Sequence, residues 1–254
     1  MKVNVLIVGT QKGGTTALSR FLSQHPDICF YYKETVPPFH VGKEIHFFDN
    51  ESYFRQSPPP YERYHAMFHP DPSQKIIGES TPNYLYWKPA AQRIYEYNPH
   101  MKLIFLLRNP VERAYSHYCM EKERNTEHLS FSDAIRMEEN RLRTPLGPTH
   151  RIYSYCDRGR YVKQIKRFLQ FFPMQQMLFL KTEDLRFNHN ETMNIVYQFL
   201  NVRKIDTISP EIVFSNTYPT MNDSDRHYLI EIFRKDINDL ENLLGWNCAS
   251  WLER

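Results

Sequence analysis

The sequence predicts an α/β fold: a single domain, residues 1–254, built on a central parallel β-sheet with helices on both faces. Three observations predict it. Short apolar, β-branched runs alternate with amphipathic helical stretches along the chain. The first such run passes through a glycine-rich turn straight into a helix. A chain of 254 residues, 41% of them hydrophobic, is long enough to bury one sizeable core.

Val3 to Val8 is short, apolar and β-branched, as a strand buried on both faces requires. Thr15 to Gln24 places Ala17, Leu18, Phe21 and Leu22 at helical spacing. Asp27 to Phe30 is a second strand candidate. Glu34 to Gly42, rich in Pro and aromatics, reads as loop. Tyr53 to Pro72 reads as an irregular surface excursion with room for one short helix. Lys75 to Glu79 is a third strand, Pro89 to Tyr97 a helix, and Lys102 to Leu107 (KLIFLL) the clearest strand of the chain. Asn109-Pro110-Val111-Glu112 opens the next helix, with Asn at the cap, Pro in the first position and Glu in the third. That helix is expected to run to about Arg124. Phe131 to Glu138 is a further helix, Arg143 to Thr149 a loop, Arg160 to Phe171 an amphipathic helix, and Gln176 to Leu180 a strand. Glu191 to Leu200 and Asp223 to Leu244 close the chain as helices.

The composition excludes several function classes. Lys plus Arg exceed Asp plus Glu by only 3, and no basic run stands out, so a nucleic-acid partner is not expected. Cys29, Cys119, Cys156 and Cys248 are far apart and form no CxxC, which points to free thiols in a reducing compartment and no metal site. No apolar run approaches the roughly 20 residues of a membrane span. The N-terminal stretch has no signal-peptide pattern, so a cytoplasmic protein without a membrane partner is expected. Aromatic residues reach 15%, enough to fill a core and to line a site for a planar or sugar-like ligand.

Ligands of parallel sheets bind beyond the carboxyl ends of the strands. Two candidate anion sites fall there. The first is Gly9-Thr10-Gln11-Lys12-Gly13-Gly14-Thr15-Thr16. Its glycines let backbone N–H groups turn inward, the following helix contributes its positive end, and Lys12 and two Thr hydroxyls sit in the same turn. The alternative is a strand-to-helix turn that needs glycine for geometry alone. The nucleotide-triphosphate pattern GxxxxGK[ST] is not met, because Lys12 precedes Gly13 and Gly14. The second site is Arg108 to Ser116. Ser116 lies two helical turns into the helix, which returns it to the N-cap face, so Arg108, the Ser116 hydroxyl and the helix N-terminus can converge on one anion. The alternative is an ion pair of Arg108 with Glu112, and Arg113 reads as a solvated or ion-paired face residue.

QKGGTTAL (Gln11 to Leu18) resembles the 5′-phosphosulfate loop of sulfotransferases that use 3′-phosphoadenosine-5′-phosphosulfate (PAPS), in the heparan-sulfate-type and bacterial branch. KEIHFFD (Lys43 to Asp49), GESTPNYL (Gly78 to Leu85), LLRNPVERAYSHY (Leu106 to Tyr118), RGRYVKQIKRFLQFFP (Arg158 to Pro173) and LKTEDL (Leu180 to Leu185) are similar to further blocks of that family, in family order. The resemblance implies a P-loop-like sheet and PAPS as sulfuryl donor, with 3′,5′-ADP as product and no metal. Gln11, Lys12, Gly13, Gly14, Thr15 and Thr16 would hold the 5′ end, Arg108 and Ser116 the 3′-phosphate, with Tyr161 against the nucleotide. Lys12 would neutralise the leaving phosphate. Glu44 would be the base that takes the acceptor's proton, with His46 the alternative because it titrates near neutrality. Phe47, Phe48, Ser80 and Tyr84 would face the acceptor, although core packing is expected for at least one of the two Phe rings. Glu44 paired with Lys43 is the plainer reading of that carboxylate. Ser80 stands where some relatives have a Lys, and the late Lys-Gly-Arg segment of heparan-modifying relatives is absent.

The expected reaction is transfer of a sulfuryl group to a hydroxyl or amine of a small-molecule or saccharide acceptor. The loops from Tyr31 to Tyr64 and Glu121 to Tyr155 would shape its site. A P-loop-type small-molecule kinase or NTPase is the enzymatic rival, and it needs a Lys after the glycines and a Mg²⁺-holding Asp at a strand end. A catalytically inactive nucleotide-binding protein is the other; the presence of both Lys12 and Glu44 argues against it.

Overall fold

The computed structural model describes residues 2–33, 44–206 and 219–253. In chain order these form β1 (Val5–Gly9), α1 (Thr15–Ser23), β2 (Ile28–Phe30), α2 (Tyr61–His65), β3 (Ile76–Ser80), α3 (Ala90–Tyr97) and β4 (Lys102–Leu107). There follow α4 (Pro110–Glu123), α5 (Phe131–Arg141), α6 (Pro148–Ile152), α7 (Tyr161–Leu169), β5 (Met177–Lys181), α8 (Thr182–Phe187), α9 (His189–Leu200) and α10 (Asp223–Leu244). They fall into two compact units: residues up to 107 with those from 166 to 206, and residues 108–165 with those from 219 onward. No helix among the described residues is long and apolar enough to cross a membrane.

The first unit holds the sheet. All of its strand pairs are parallel, in the order β2-β3-β1-β4-β5. The five predicted strands are these five. Strand β4 has the predicted bounds because six consecutive apolar or stem-burying residues leave no ambiguity of end. Alternate residues Val5 and Ile7 of β1, with Ile104 and Leu106 of β4, face a core closed by Leu18 and Phe21 of α1, Leu185 of α8, and Val196 and Leu200 of α9. Phe105, on the opposite face of β4, meets Phe168 with ring centroids 5.3 Å apart, so both faces are covered. From β1 the chain crosses to the edge strand β2 and returns through β3, which pairs with β1, then builds outward through β4 and β5 on the other side. The crevice that such a reversal opens lies at the carboxyl end of β1.

Two expectations for this unit need correction. The stretch from Tyr53 to Pro72 holds the short helix it had room for, α2, but does not lie wholly at the surface: Tyr64 is buried and stacks on Phe47 at 4.5 Å. Helix α8 was not foreseen, although Glu183 and Asp184 in its first turn suit a helix N-terminus. The loop expected over Glu34 to Gly42 lies outside the described residues.

The second unit is helical. Asn109 caps α4 by accepting from the Val111 amide at 2.9 Å, and Pro110 occupies the first turn, as predicted. Ser130 caps α5, and Asn222 caps α10. The loop expected through Thr149 is shorter than read, because α6 starts at Pro148. Arg113 overturns its expected exposed position: it is fully buried in α4, where one guanidinium nitrogen donates to the Tyr155 carbonyl. Helical spacing alone could not show that α4 is covered on that side.

Candidate active site

The turn after β1 is built for close approach of an anion to backbone. Lys12 (φ 67°) and Gly14 (φ 86°) are left-handed, which reverses the chain within a few residues and turns successive amides to one side. A Cβ on Gly13 would stand 2.6 Å from the Leu106 carbonyl oxygen and 2.9 Å from that of Thr10, so this position admits no side chain. One hydrogen bond ties the turn to the sheet, from Thr10 N–H to Leu106 O at 2.8 Å, and a second closes the turn on itself, from Gly13 N–H to Thr10 O at 2.9 Å. A third partner was missed from sequence. Thr182, at the start of α8, directs its hydroxyl to the carbonyls of Gly13 at 2.7 Å and Leu107 at 3.0 Å. Helix α1 opens at Gly14 without a side-chain cap, and the positive end of a helix favours an anion. The Gln11 amide oxygen is buried with no hydrogen-bond partner among the described residues, and half a turn of that amide would present its donor instead. Thr15 is buried and Thr16 exposed. These features fit a phosphate group.

Strand β3 pairs with β1, Ile7 opposite Ser80, so the segment after β3 emerges beside the glycine turn. The Glu44–Asp49 segment docks on it. Here the two candidate proton acceptors are brought together: His46 Nε2 lies 3.2 Å from Glu44 Oε2, and His46 Nδ1 lies 2.9 Å from Asp49 Oδ2. Asp49 is wholly buried and also accepts from the Asn83 side-chain amide. His46 sits at φ 53°, a conformation that costs a non-glycine residue roughly 1–2 kcal/mol. Burial by itself would lower the imidazole pKa, but the hydrogen bonds and charges of Asp49 and Glu44 outweigh it and raise the pKa to about 10. His46, with 43% of its side chain exposed, and Glu44, with 23%, both reach solvent, whereas Asp49 does not. Lys43, the partner weighed for Glu44, lies outside the described residues. Asp49 was not singled out from sequence, although its spacing of three from His46 was the available signal.

The four residues expected to face the acceptor are all buried: Phe47 at 1%, Phe48 at 0%, Ser80 at 6% and Tyr84 at 0% exposure. Phe47 and Phe48 lie edge to face at 5.2 Å, and Phe48 packs on Tyr84 at 5.5 Å. The Tyr84 hydroxyl accepts from the amides of Phe47 at 2.9 Å and Phe48 at 3.4 Å. Core packing thus claims both Phe rings, because the aromatic excess of the sequence is concentrated under this segment.

In the second unit, Arg108 flanks the N-terminus of α4 and Ser116 is buried on that helix. Glu112, the carboxylate weighed as a partner for Arg108, pairs with Arg226 at 2.7 Å. Tyr161 is 1% exposed, and its hydroxyl donates to the Arg108 carbonyl at 2.8 Å. Its own amide donates to Asp236 at 2.8 Å, so a carboxylate of α10 caps α7 and fixes the residue that holds Arg108. Asp236 was another residue that no local pattern announced. Among the described residues no group of three or more His, Cys, Asp or Glu is arranged to hold a metal ion.

Residues 2–227 match the sequence model of a family described as the sulfotransferase domain. The chain is 32% identical over 206 residues to heparan sulfate glucosamine 3-O-sulfotransferase 6 of Homo sapiens, an alignment covering 80% of this chain and 53% of that protein. It is 25% identical to the membrane-associated sulfotransferase kil1 of Dictyostelium discoideum, over 95% of this chain and 65% of the relative. The crystal structure of a sulfotransferase from Alicyclobacillus acidocaldarius has the same fold, with a TM-score of 0.82 at 28% identity and 100% of both chains covered. The chain spans about half the length of the curated heparan-modifying relatives it matches.

Proposed function

This chain belongs to the sulfotransferase domain family, and from that premise we propose that it transfers a sulfuryl group from PAPS to a hydroxyl or amine, with Glu44 as base. The observation that carries the reading is the Glu44–His46–Asp49 array, on the segment docked beside the glycine turn. An imidazole held between two carboxylates already bears its proton at neutral pH, which leaves Glu44 as the group able to accept another.

In the proposed step the acceptor oxygen or nitrogen attacks sulfur in line as the bond from sulfur to the bridging phosphate oxygen breaks. The acceptor's proton passes to Glu44, and the electron pair of the broken bond stays with the leaving phosphate. Lys12, the hydroxyls of Thr15 and Thr16, and the amides of the turn neutralise that charge. Gln11, Gly13 and Gly14 shape the cradle. Arg108 and Ser116 are proposed for the 3′-phosphate of the nucleotide. Tyr161 is proposed to act there by fixing the Arg108 backbone, since its hydroxyl is committed to that carbonyl.

A saccharide acceptor is favoured over other small molecules by the heparan sulfate glucosamine acceptor in the names of the relatives. The test is sulfuryl transfer from labelled PAPS to a panel of amino sugars, uronic-acid saccharides and phenols, with Glu44→Gln as control. Label transferred by the wild type and lost in the variant is the expected result. Transfer at an equal rate by Glu44→Gln would remove Glu44 from the mechanism.

A further inference from the structure

Glu79 is the penultimate residue of β3 and is wholly buried, yet no step of the reaction uses it. Its carboxylate is surrounded by hydroxyls. Thr81 Oγ1 donates to Oε2 at 2.8 Å, Tyr64 Oη donates to Oε1 at 3.3 Å, and the Tyr84 hydroxyl is a third hydrogen-bond partner. Two of these hydroxyls have a second task. Thr81 Oγ1 accepts from the His46 amide at 3.3 Å, and the Tyr84 hydroxyl accepts from the amides of Phe47 and Phe48. Three consecutive backbone N–H groups of the segment bearing Glu44 and Asp49 therefore end, through one hydroxyl each, on the same buried carboxylate.

The directions of these bonds matter. A hydroxyl has one proton and two lone pairs. With its proton drawn to Glu79, each of Thr81 and Tyr84 must turn its lone pairs outward, where the amides of residues 46 to 48 donate into them. A neutral acid at position 79 would present a donor of its own and relax that orientation. His46 holds a left-handed φ of 53°, a conformation that persists only where surrounding bonds over-determine it.

We propose that Glu79 is a positioning residue for the reaction: through the hydroxyls of Thr81 and Tyr84 it clamps the amides of His46, Phe47 and Phe48 and so aims Glu44 at the acceptor. The inference rests on the reading of Glu44 as base. Burial raises the Glu79 pKa to about 7, against the opposing effect of the Thr81 and Tyr84 hydrogen bonds, the His46 charge and the Tyr64 hydroxyl. The titratable groups facing it are Tyr64 of α2, Tyr84, His46 and Tyr31. The clamp is accordingly set when Glu79 is ionised and slackens as pH falls through about 7.

The test follows the backbone amide resonances of His46, Phe47 and Phe48 between pH 5 and 9, alongside kcat and KM with labelled PAPS and an acceptor identified from the panel. A shared inflection near pH 7 is expected in the wild type and in Glu44→Gln, and its absence in Glu79→Gln. Glu79→Gln is also expected to lose kcat by ~10- to 100-fold, as displaced reacting groups do, with its Kd for 3′,5′-ADP unchanged. An inflection that survives in Glu79→Gln, or an unchanged kcat, overturns the proposal. Should Glu79→Gln fail to fold, Thr81→Val and Thr81→Ser decide. A kcat that falls in the first and recovers in the second supports the clamp, and equal values in both overturn it. Full activity in Glu44→Gln with the amide inflection intact would sink the base assignment while leaving the clamp standing.

Discussion

His46 Nδ1 lies 2.9 Å from Asp49 Oδ2, and the same ring turns Nε2 toward Glu44 at 3.2 Å. A neutral imidazole has one donor and one acceptor nitrogen and cannot satisfy both carboxylates, whereas an imidazolium can. Two-bond proton–nitrogen correlation of the imidazole is expected to show both nitrogens protonated throughout pH 6 to 9, since the pKa is raised to about 10. The sign follows from a folded-state value above the ordinary 6.5. The array's contribution to stability is fully present below about pH 6.5 and is lost as pH rises through about 10. A titration midpoint near 6.5 would contradict the geometry.

Lys12 is expected to act on the leaving group rather than on the fold. Lys12→Ala should lower single-turnover sulfuryl transfer by ~10²–10³-fold, the usual effect of removing one preorganised charge-stabilising donor. Its melting temperature should stay near that of the wild type, because Lys12 lies in the turn after β1 and outside the hydrophobic core.

Gly13→Ala tests the close approach of the turn to β4. Its methyl group would enter within 2.6 Å of the Leu106 carbonyl oxygen, so the turn must move. Nucleotide binding should fall by tenfold or more in calorimetry while circular dichroism stays native. Retained binding would show that the cradle does not depend on that path.

Tyr161→Phe removes one buried hydrogen bond, to the Arg108 carbonyl, and should cost ~0.5–1.5 kcal/mol in urea unfolding. Affinity for 3′,5′-ADP should weaken with it. Asp236 has its pKa raised to about 6 by burial, against the opposing bonds from the Tyr161 and Val162 amides. A carboxyl whose folded value lies above the ordinary 3.8 holds its proton more tightly in the folded state, so its cost to folding is relieved as pH falls through about 6. Wild type should therefore gain stability relative to Asp236→Asn between pH 7 and pH 5, and a constant difference would contradict this.

Local pattern carried much of the fold. Apolar runs located all five strands, and Asn109-Pro110 located the start of α4, because those signals act within a few residues. The glycine turn stood out as a candidate anion site in the same way, whereas Glu44 and His46 were candidates only through the family resemblance. The residues that hold them in place were not legible. Thr182 reaches Gly13 from 169 positions away in sequence, and Asp236 reaches Tyr161 from 75. Arg113 looked like a surface charge because spacing on one helix says nothing of what covers it. Phe47, Phe48 and Tyr84 suit an acceptor site or a core equally by residue type, and only tertiary packing puts them inside.

The proposed transfer from PAPS requires a nucleotide carrying a phosphate on its ribose as well as one at its 5′ end. Calorimetric titration with 3′,5′-ADP and with 5′-AMP, both without metal, tests it most directly. Binding of 3′,5′-ADP is expected to be at least ~10-fold tighter, equivalent to about 1.4 kcal/mol, with the difference collapsing in Arg108→Ala. Equal affinity for the two nucleotides would contradict it.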